Sequence, residues 1–290
     1  MADPSKASAS DRGPATATGG RAWGLIRRVL VPPAIAYLVL VVLMMFLERA
    51  LIFFPMPYPG GDWSPGGTEF EEAFFTAADG TRLHGWYAHR DDPVAVILFA
   101  HGNAGNVTHR SDVLRLLRRQ GAAILVFDYR GYGRSEGRPS EQGVLDDARA
   151  ARSWLAERSG VAPERIVLMG ESLGAAVVVH LAAEAGARGL ILEGAFTSLP
   201  DVAAYHYPWL PVRWLMRTRL DAAARIGDYH GPLFQMHGEA DSIIPLRLGR
   251  ELFEAANEPK RFVALPGHDH NDPPGLEYYD ILGGFLESLP

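Results

Sequence analysis

The sequence predicts an α/β domain with a doubly wound, mostly parallel β-sheet, preceded by a membrane-spanning helix. The domain is predicted by two observations. Short runs rich in Val, Ile and Leu recur along the chain, and amphipathic segments of helix length separate them. The helix is predicted by a third observation, because residues 29–47 contain no charged side chain.

The N-terminal part of the chain has two segments of different composition. Residues 1–28 are largely Ala, Ser, Thr, Gly and Pro, so we expect a disordered tail. Residues 29–54 are the predicted transmembrane anchor, whose uncharged stretch spans about 28 Å as a helix, enough for a bilayer core. We expect Pro32 and Pro33 in its first turn, where a missing amide donor costs little.

Basic residues are distributed unevenly around the uncharged stretch, residues 29–47. Those that precede it are Lys6, Arg12, Arg21, Arg27 and Arg28. The nearest one after it is Arg49, so the positive-inside rule predicts a cytoplasmic N-terminus and a main domain across the membrane. A cleaved signal peptide is one alternative, but "FLERALIFFP" follows where a small-residue cleavage site would be expected. A buried helix of a soluble domain is the other alternative, which the flanking arginines disfavour.

The predicted linker covers residues 55–68 and the predicted α/β domain covers residues 69–290. The runs "EEAFFTA" and "LHGWYAH" flank a turn signal and predict an antiparallel hairpin. Further strands are predicted at "VAVILFA", "AAILVFDY", "RIVLMG", "GLILEGAF", "LFQMHG" and "RFVALPG". Because these strands are apolar throughout and alternate with helical segments, we expect both faces of the sheet to be covered.

Composition excludes several classes of function. The net charge of −6 argues against non-specific nucleic-acid binding, which needs a basic surface. The chain has no cysteine, which excludes disulfides, a thiolate nucleophile and a zinc–thiolate site. We expect no nucleic-acid partner and no metal or organic cofactor.

Ser172 lies between Gly170 and Gly174 in the stretch "LMGESLGAAV". A G-x-S-x-G pattern between a predicted strand and a predicted helix is typical of a nucleophile elbow, in which small neighbours permit a sharp turn that exposes the hydroxyl. A phosphate-binding glycine turn is the alternative, but the P-loop lysine and the G-x-G-x-x-G spacing are absent. Ser172 is therefore the candidate nucleophile.

Other polar residues follow other predicted strands, where ligands of such sheets bind. The motif "HGNAGN" follows one strand, and the backbone N–H groups of Asn103 and Leu173 are the predicted oxyanion hole. Asp241 follows "LFQMHG", and His270 lies in "HDHND" after the last strand. The order Ser, Asp, His is that of the catalytic triad in α/β-hydrolases.

The chain resembles α/β-hydrolases of the membrane-anchored branch near monoacylglycerol lipases, serine aminopeptidases and protein depalmitoylases. The shared signatures are "ERALIFFP", "HGNAGN", "DYRGYGRSEGRPSE", "GESLGAAV", "FTSL", "HGEADSIIP" and "HDHND". They extend over residues 48–285 in the expected order. The resemblance implies the α/β-hydrolase fold and a Ser-Asp-His triad, and says far less about the substrate.

The resemblance also selects between candidate site residues. Family members commonly end the last motif in His-Asn-Asp, which implies His270 rather than His268 as the base. Asp241 is favoured over Glu193 as the acid by chain order. His101 comes too early for a base in this order, and we expect it to shape its loop. Two further residues are expected to form or orient the last turn, Asp269 and Asp272.

Residues 197–226 are too long for a simple crossover, so we expect a small cap there. Its large side chains include Tyr205, Tyr207, Trp209, Trp214 and Met216. These would line an apolar acyl pocket, or they would be buried by an ordinary helix. In "FDYRGYGRSEG" we expect Arg130 and Arg134 to be structural; contact with an anionic substrate is the alternative.

Together these features predict a membrane-anchored serine hydrolase that cleaves ester or thioester bonds of a small-molecule or lipid-like acyl substrate. A serine peptidase would use the same triad. A non-catalytic scaffold on the same fold is the alternative from another class, since a fold does not guarantee an activity. The sequence makes no prediction of the oligomeric state.

Overall fold

The computed structural model describes residues 18–66 and 70–290. The chain divides into two compact units, Met1–Phe46 and Leu47–Pro290. The helices are α1 Thr18–Ile52, α2 Ser111–Arg119, α3 Glu141–Ser159, α4 Leu173–Ala185, α5 Leu199–His206, α6 Val212–Leu215, α7 Leu246–Ala255 and α8 Leu276–Ser288. The strands are β1 Phe54–Pro55, β2 Glu71–Thr76, β3 Arg82–Ala88, β4 Ala95–Ala100, β5 Ala104–Gly105, β6 Ala122–Asp128, β7 Val167–Glu171, β8 Gly189–Glu193, β9 Leu233–Gly238 and β10 Lys260–Leu265. Three short 3-10 helices cover Val107–Arg110, Pro163–Arg165 and Ile226–Asp228.

Helix α1 contains the candidate membrane span. Its part Ile26–Ile52 is long enough to cross a bilayer, and an 18-residue window within it has a mean hydropathy of 2.6. Only 6% of that window is buried. A helix inside a soluble core would be mostly buried, so the exposure of α1 argues against that alternative.

The bounds of α1 differ from the predicted ones. The helix starts at Thr18, inside the segment predicted to be disordered, and it ends at Ile52 rather than at residue 54. Residues 1–17 of the predicted tail lie outside the described residues. The prediction that Pro32 and Pro33 occupy the first turn was wrong, because both lie inside the helix. Proline removes single helical hydrogen bonds there, and the apolar residues on both sides continue the helix.

The second unit is built on an eight-stranded sheet in the order β2-β3-β6-β4-β7-β8-β9-β10. The pairs β2–β3 and β3–β6 are antiparallel, and all the others are parallel. The predicted hairpin and the predicted doubly wound architecture are confirmed. All residues of β4 and β6 are buried, as expected for strands covered on both faces.

Successive side chains of a strand point to opposite faces of the sheet, so each strand contributes to both hydrophobic layers. In β4, Leu98 packs with the core under α3, α4 and α7, whereas Ile97 and Phe99 pack with the core under α2 and α8. A single strand therefore anchors helices on both faces. The parallel strands deliver their carboxyl ends to one edge, where the loops with the candidate site residues begin.

The segment after α1 belongs to the second unit and is hydrogen-bonded to the rest of it. Strand β1 pairs in parallel with β5, in the register Phe54 with Ala104 and Pro55 with Gly105. Pro57 forms a β-bridge with Gly133. The described part of the predicted linker, up to residue 66, thus contacts the domain through backbone hydrogen bonds, which its Pro and Gly content did not reveal.

The predicted cap region contains α5, α6 and irregular backbone. Ser198 caps α5 by accepting a hydrogen bond from the Asp201 N–H at 3.2 Å. Four aromatic side chains of the region are exposed: Tyr205, Tyr207, Trp209 and Trp214. An ordinary helix burying these rings is therefore not what forms.

Candidate active site

Ser172 occupies a strained turn between β7 and α4. Its φ of 52° lies in the left-handed region, which non-glycine residues rarely adopt. The Ser172 N–H donates to the Glu193 carbonyl oxygen at 2.8 Å, which links the turn to the end of the neighbouring strand β8. The serine precedes the first residue of α4, so its hydroxyl lies at a helix N-terminus, where negative charge is favoured.

The two glycines of the motif are required by close backbone packing. A Cβ on Gly170 would lie 2.4 Å from the Gly174 carbonyl oxygen. A Cβ on Gly174 would lie 1.9 Å from the Ala100 carbonyl oxygen and 2.7 Å from that of His101. The missing side chains let the first turn of α4 press against the loop after β4.

Asp241 and His270 converge on Ser172 from the loops after β9 and β10. His270 Nδ1 lies 2.7 Å from Asp241 Oδ2, and His270 Nε2 lies 3.1 Å from Ser172 Oγ. A carboxylate only accepts, so Nδ1 carries the proton that it donates to Asp241, and Nε2 is the acceptor for the serine hydroxyl. This is the hydrogen-bond order in which a histidine can remove a serine proton.

Further donors hold the Asp241 carboxylate, whose side chain is only 1% exposed. The Ile244 N–H donates to Oδ1 at 2.6 Å, and His237 Nε2 lies 3.4 Å from Oδ2. Burial raises the pKa of Asp241, but hydrogen bonds from His237, His270 and the Ile244 N–H outweigh burial and lower the pKa overall. Asp241 is therefore ionised when it faces His270.

Asp269 joins the loop of the acid to the loop of the histidine. Its Oδ1 accepts hydrogen bonds from the Ser242 N–H and the His270 N–H, both at 2.7 Å. Hydrogen bonds from the Ser242 N–H, the His270 N–H and the Ser242 hydroxyl lower the pKa of Asp269. Asp272 in turn accepts from the Asp269 N–H at 2.8 Å. Both residues thus orient the turn, as predicted.

Asn103 lies in the loop after β4, and Leu173 lies at the start of α4. The absence of a side chain at Gly174 lets these two segments pack closely. Within residues 18–66 and 70–290, neither the Asn103 N–H nor the Leu173 N–H donates a hydrogen bond to the protein. Leu173 is the first residue of α4, where the first N–H groups lack helical acceptors. Both amides are thus available to a ligand oxygen.

The alternative site residues have other contacts. His268 Nδ1 lies 3.1 Å from the Pro266 carbonyl oxygen. His101 is fully buried, with Nδ1 donating to the Gly102 carbonyl oxygen at 2.7 Å and Nε2 at 3.5 Å from Asp128. Neither imidazole is hydrogen-bonded to Ser172.

Glu193, the alternative acid, accepts a hydrogen bond from the Tyr278 hydroxyl. Burial raises the pKa of Glu193 to about 7; the Tyr278 hydrogen bond opposes this and the nearby Glu171 carboxylate adds to it. Glu171 itself forms a bidentate ion pair with Arg110, at 2.9 and 3.1 Å. Two carboxylates therefore flank the elbow without contacting His270.

Arg130 and Arg134 make structural contacts. Arg130 forms ion pairs with Asp147 and Asp79, each at 2.8 Å. Arg134 pairs with Glu72 at 2.7 Å and lies over the ring of Trp63. These partners occupy both guanidinium groups, in agreement with the structural interpretation rather than with contact to an anionic substrate.

Sequence reasoning missed residues that act on the predicted ones. His237, which contacts Asp241, lies inside strand β9, and Tyr132, which donates to the Asn103 side chain at 2.9 Å, lies in the "DYRGYGRSEG" loop. Strand alternation and glycine content carry no signal for such contacts. Among the described residues, no group of three or more His, Asp or Glu side chains could hold a metal ion.

Comparisons with known proteins identify relatives of the chain. Residues 91–220 match the family described as serine aminopeptidase S33. An uncharacterised protein of Mycobacterium tuberculosis, Rv2307c, is 41% identical, with 87% of this chain and 92% of that protein covered. The α/β-hydrolase domain-containing protein WAV2 of Arabidopsis thaliana is 32% identical, with 70% of this chain and 73% of that protein covered.

Two further similarities concern a lipase and a solved structure. The lysophosphatidylserine lipase ABHD12 of Danio rerio is 34% identical over 60% of this chain and 49% of that protein. The structure of the Pyrococcus furiosus esterase Pf2001 superposes with a TM-score of 0.67 at 20% identity, covering 81% of this chain and 99% of the esterase. At that identity, the structural similarity concerns the fold.

Proposed function

Because the chain belongs to the α/β-hydrolase superfamily, we propose that it is a serine hydrolase that cleaves carboxylic ester or thioester bonds. The observation that carries the proposal is the hydrogen-bond chain from Asp241 through His270 to Ser172, with distances of 2.7 and 3.1 Å. Ser172 is the proposed nucleophile, His270 the general base and Asp241 the residue that orients it.

The proposed reaction has two halves. Ser172 Oγ attacks the acyl carbonyl carbon while His270 Nε2 takes the serine proton, and the N–H groups of Asn103 and Leu173 hold the oxyanion. Collapse of this intermediate breaks the bond to the leaving alcohol or thiol, which takes the proton from His270. Water then attacks the acyl-enzyme with His270 as base again, which releases the carboxylic acid and restores Ser172.

A lipid-like acyl substrate is supported by two features of the chain. The helix Ile26–Ile52 fits a bilayer, and residues 197–226, the proposed cap, expose four aromatic rings, with that of Trp214 88% exposed. His206 at the end of α5 donates to the Ile243 carbonyl oxygen at 2.8 Å, two residues from Asp241. The cap therefore adjoins the loop of the proposed acid. Similarity to a lysophosphatidylserine lipase also favours lipid esters.

We further propose that Ile26–Ile52 anchors the protein with its N-terminus in the cytoplasm and the hydrolase domain on the other side. The support is the apolar length of α1 and the excess of arginines on the N-terminal side of its uncharged stretch, residues 29–47. Protease added to sealed right-side-out vesicles is expected to digest residues 69–290. Digestion only in inverted vesicles would reverse the orientation.

An aminopeptidase activity is the second candidate, favoured by the family match over residues 91–220. The same triad attacks amides, but it must then protonate an amine leaving group. Matched p-nitrophenyl esters and aminoacyl p-nitroanilides distinguish the two, since both release chromophores that are followed by absorbance. A higher kcat/KM on the anilides would make the chain a peptidase.

The proposal is tested with the full chain in a mild detergent. Hydrolysis of p-nitrophenyl esters from acetyl to palmitoyl is compared between the wild type and Ser172→Ala. We expect the variant to lose about 10⁵-fold or more in kcat, as found when a triad serine is removed. The matched control is Ser153→Ala, an exposed serine of α3, which should keep full activity.

A fluorophosphonate probe provides the second readout. Labelling of the wild type and of Ser153→Ala, but not of Ser172→Ala, is expected. Equal hydrolysis by folded Ser172→Ala and wild type would overturn the proposed nucleophile. Absence of both hydrolysis and labelling in folded wild type would instead favour the scaffold alternative.

A further inference from the structure

The segment that follows α1 runs directly past the loop after β4. Strand β1 pairs with β5, so Phe54 lies opposite Ala104, the residue next to Asn103. The Met56 N–H also donates to the Gly105 carbonyl oxygen at 3.2 Å. We name residues 52–60 the post-helix segment; all of them belong to the second unit.

The Asn103 side chain is held by this segment. Its Nδ2 donates to the carbonyl oxygen of Ile52, the last residue of α1. Its Oδ1 accepts from the Phe54 N–H at 3.2 Å and from the Tyr132 hydroxyl at 2.9 Å. Both ends of the amide are thus used, and two of its three partners belong to the chain that leaves the membrane helix.

The post-helix segment is itself fixed on the domain by other contacts. The side-chain amide of Asn106 donates to the carbonyl oxygens of Met56 at 3.0 Å and Gly60 at 2.8 Å. The Tyr58 N–H donates to the Gly133 carbonyl oxygen at 2.8 Å. These contacts hold the segment on the domain without Asn103. The three hydrogen bonds of the Asn103 side-chain amide are therefore not needed to attach the segment.

Tyr132 is the third partner of the Asn103 side chain and lies in the loop after β6. Its side chain is fully buried and its ring lies 5.6 Å from that of His101, which precedes the same loop. A buried hydroxyl needs a partner, and here the partner is Asn103 Oδ1. Asn103 is thereby clamped between the post-helix segment and the core.

We propose that the post-helix segment positions the oxyanion loop, and that the Asn103 side chain is the positioning group through which it acts. This inference rests on the proposed function, in which the Asn103 N–H contacts the oxyanion. The backbone N–H and the side chain of Asn103 are attached to the same Cα. Hydrogen bonds that hold both the oxygen and the nitrogen of the side-chain amide therefore fix the direction of the backbone N–H. Oxyanion donors stabilise a transition state only when they are oriented before the reaction.

The test uses the full chain in detergent and three variants that weaken the clamp by different routes. Asn103→Ala removes all three hydrogen bonds. Tyr132→Phe removes the hydroxyl donor to Asn103 and leaves the sequence of the post-helix segment intact. Insertion of two glycines between Ile52 and Phe53 separates the end of α1 from strand β1 and leaves the domain sequence intact.

We expect Asn103→Ala to lower kcat for the p-nitrophenyl esters about 30-fold, with KM within about twofold. This loss is smaller than the 10²–10³-fold loss of an absent oxyanion donor, because the N–H remains but is misdirected. Tyr132→Phe and the insertion should each lower kcat about fivefold, since each leaves part of the clamp. The matched control inserts two glycines between the exposed residues Asp91 and Asp92 and should leave kcat unchanged.

A boronic acid inhibitor separates positioning from general damage. Its adduct with Ser172 carries a tetrahedral oxyanion, so its affinity should fall in each variant by the same factor as kcat/KM. Active-site titration gives the concentration of reactive protein, and melting temperatures show that each variant folds. An unfolded Asn103→Ala would leave Tyr132→Phe and the insertion to decide the matter.

The outcomes distinguish this inference from the proposed function. Wild-type esterase activity that depends on Ser172, with kcat of all folded variants within twofold of wild type, would overturn the positioning role alone. Variants that change KM but not kcat or boronate affinity would also overturn it. Absence of esterase activity in the wild type would instead contradict the proposed function.

Discussion

The two halves of the candidate site are held in place by different forces. Ser172 is held by its backbone: its φ is positive, and glycines on both sides allow contacts that no side chain would permit. Asp241 and His270 lie on two loops that are joined by side-chain hydrogen bonds through Asp269. A side chain added at either glycine must displace β7 or α4, whereas a substitution in the second region removes individual hydrogen bonds.

The difference predicts how each half fails. Close-packed backbone is intolerant of added volume, so the elbow side should lose stability and activity together. Polar side chains on loops can be replaced by side chains of similar size and shape. Substitutions on the acid–histidine side should therefore lower activity while the fold remains. Three variants test this difference between the two halves of the site.

The largest effect is expected for Asp241→Asn. Asparagine has the shape of aspartate but favours the wrong histidine tautomer, so we expect kcat for p-nitrophenyl esters to fall about 10⁴-fold. The variant should still unfold in one cooperative transition, as should Asp280→Asn, an exposed control on α8, although loss of the buried Asp241 carboxylate lowers the melting temperature of Asp241→Asn. Activity within tenfold of wild type would mean that another carboxylate, with Glu193 the first candidate, orients His270.

Gly174→Ala should lower stability, and activity with it. The new methyl group would lie 1.9 Å from the Ala100 carbonyl oxygen, so we expect a loss of about 3 kcal/mol in the free energy of unfolding. Urea unfolding of the full chain in detergent measures it. Gly284→Ala on α8 is the matched control, because a Cβ there meets open space and should not destabilise. A stable, fully active Gly174→Ala would break the comparison.

Glu193→Gln addresses the elbow without added volume. Burial raises the pKa of Glu193 to about 7, so its protonated form stabilises the fold below its ordinary pKa of 4.5. That stability is lost as the pH rises from about 4.5 through about 7. We expect the glutamine variant to be within about 1 kcal/mol of wild type at pH 5 and to exceed it by about 3 kcal/mol at pH 8.

Urea unfolding at both pH values provides the measurement for Glu193→Gln. The exposed Glu164→Gln serves as the control. Esterase kinetics give a second test. If Glu193 only supports the elbow, kcat of Glu193→Gln should stay within a few-fold of the wild-type value. A pH-independent difference between Glu193→Gln and wild type would show that Glu193 does not titrate in this range.

Sequence patterns predicted the parts of the molecule that depend on local chemistry. The apolar strand runs and the glycines around Ser172 gave the parallel sheet and the elbow, because periodicity and turn geometry are encoded within a few residues. Chain order and family resemblance selected Asp241 and His270, which the structure brings to Ser172. Their catalytic roles remain proposals that the variants above test.

Contacts between distant segments were outside the reach of those patterns. Proline and glycine at residues 55–68 suggested a linker and gave no sign that β1 pairs with β5, because backbone hydrogen bonds form whichever side chains the segment carries. The cap composition suggested buried or pocket-lining rings, but it could not show that Trp214 is exposed. The N-terminal end of α1 was also placed too late, since prolines do not always begin a helix.

The pairing of β1 with β5 also bears on proteolytic shedding. A protease that cut after Pro55 would leave Ile52, Phe54 and strand β1 attached to α1 and release a domain without them. The released domain would keep Ser172, Asp241 and His270 but would lose two of the three partners of the Asn103 amide. With the proposed anchor and the proposed role of the Asn103 side chain, a cut at this site would weaken the hydrolase as it frees it, and attachment to α1 and full activity would be coupled through Ile52 and Phe54.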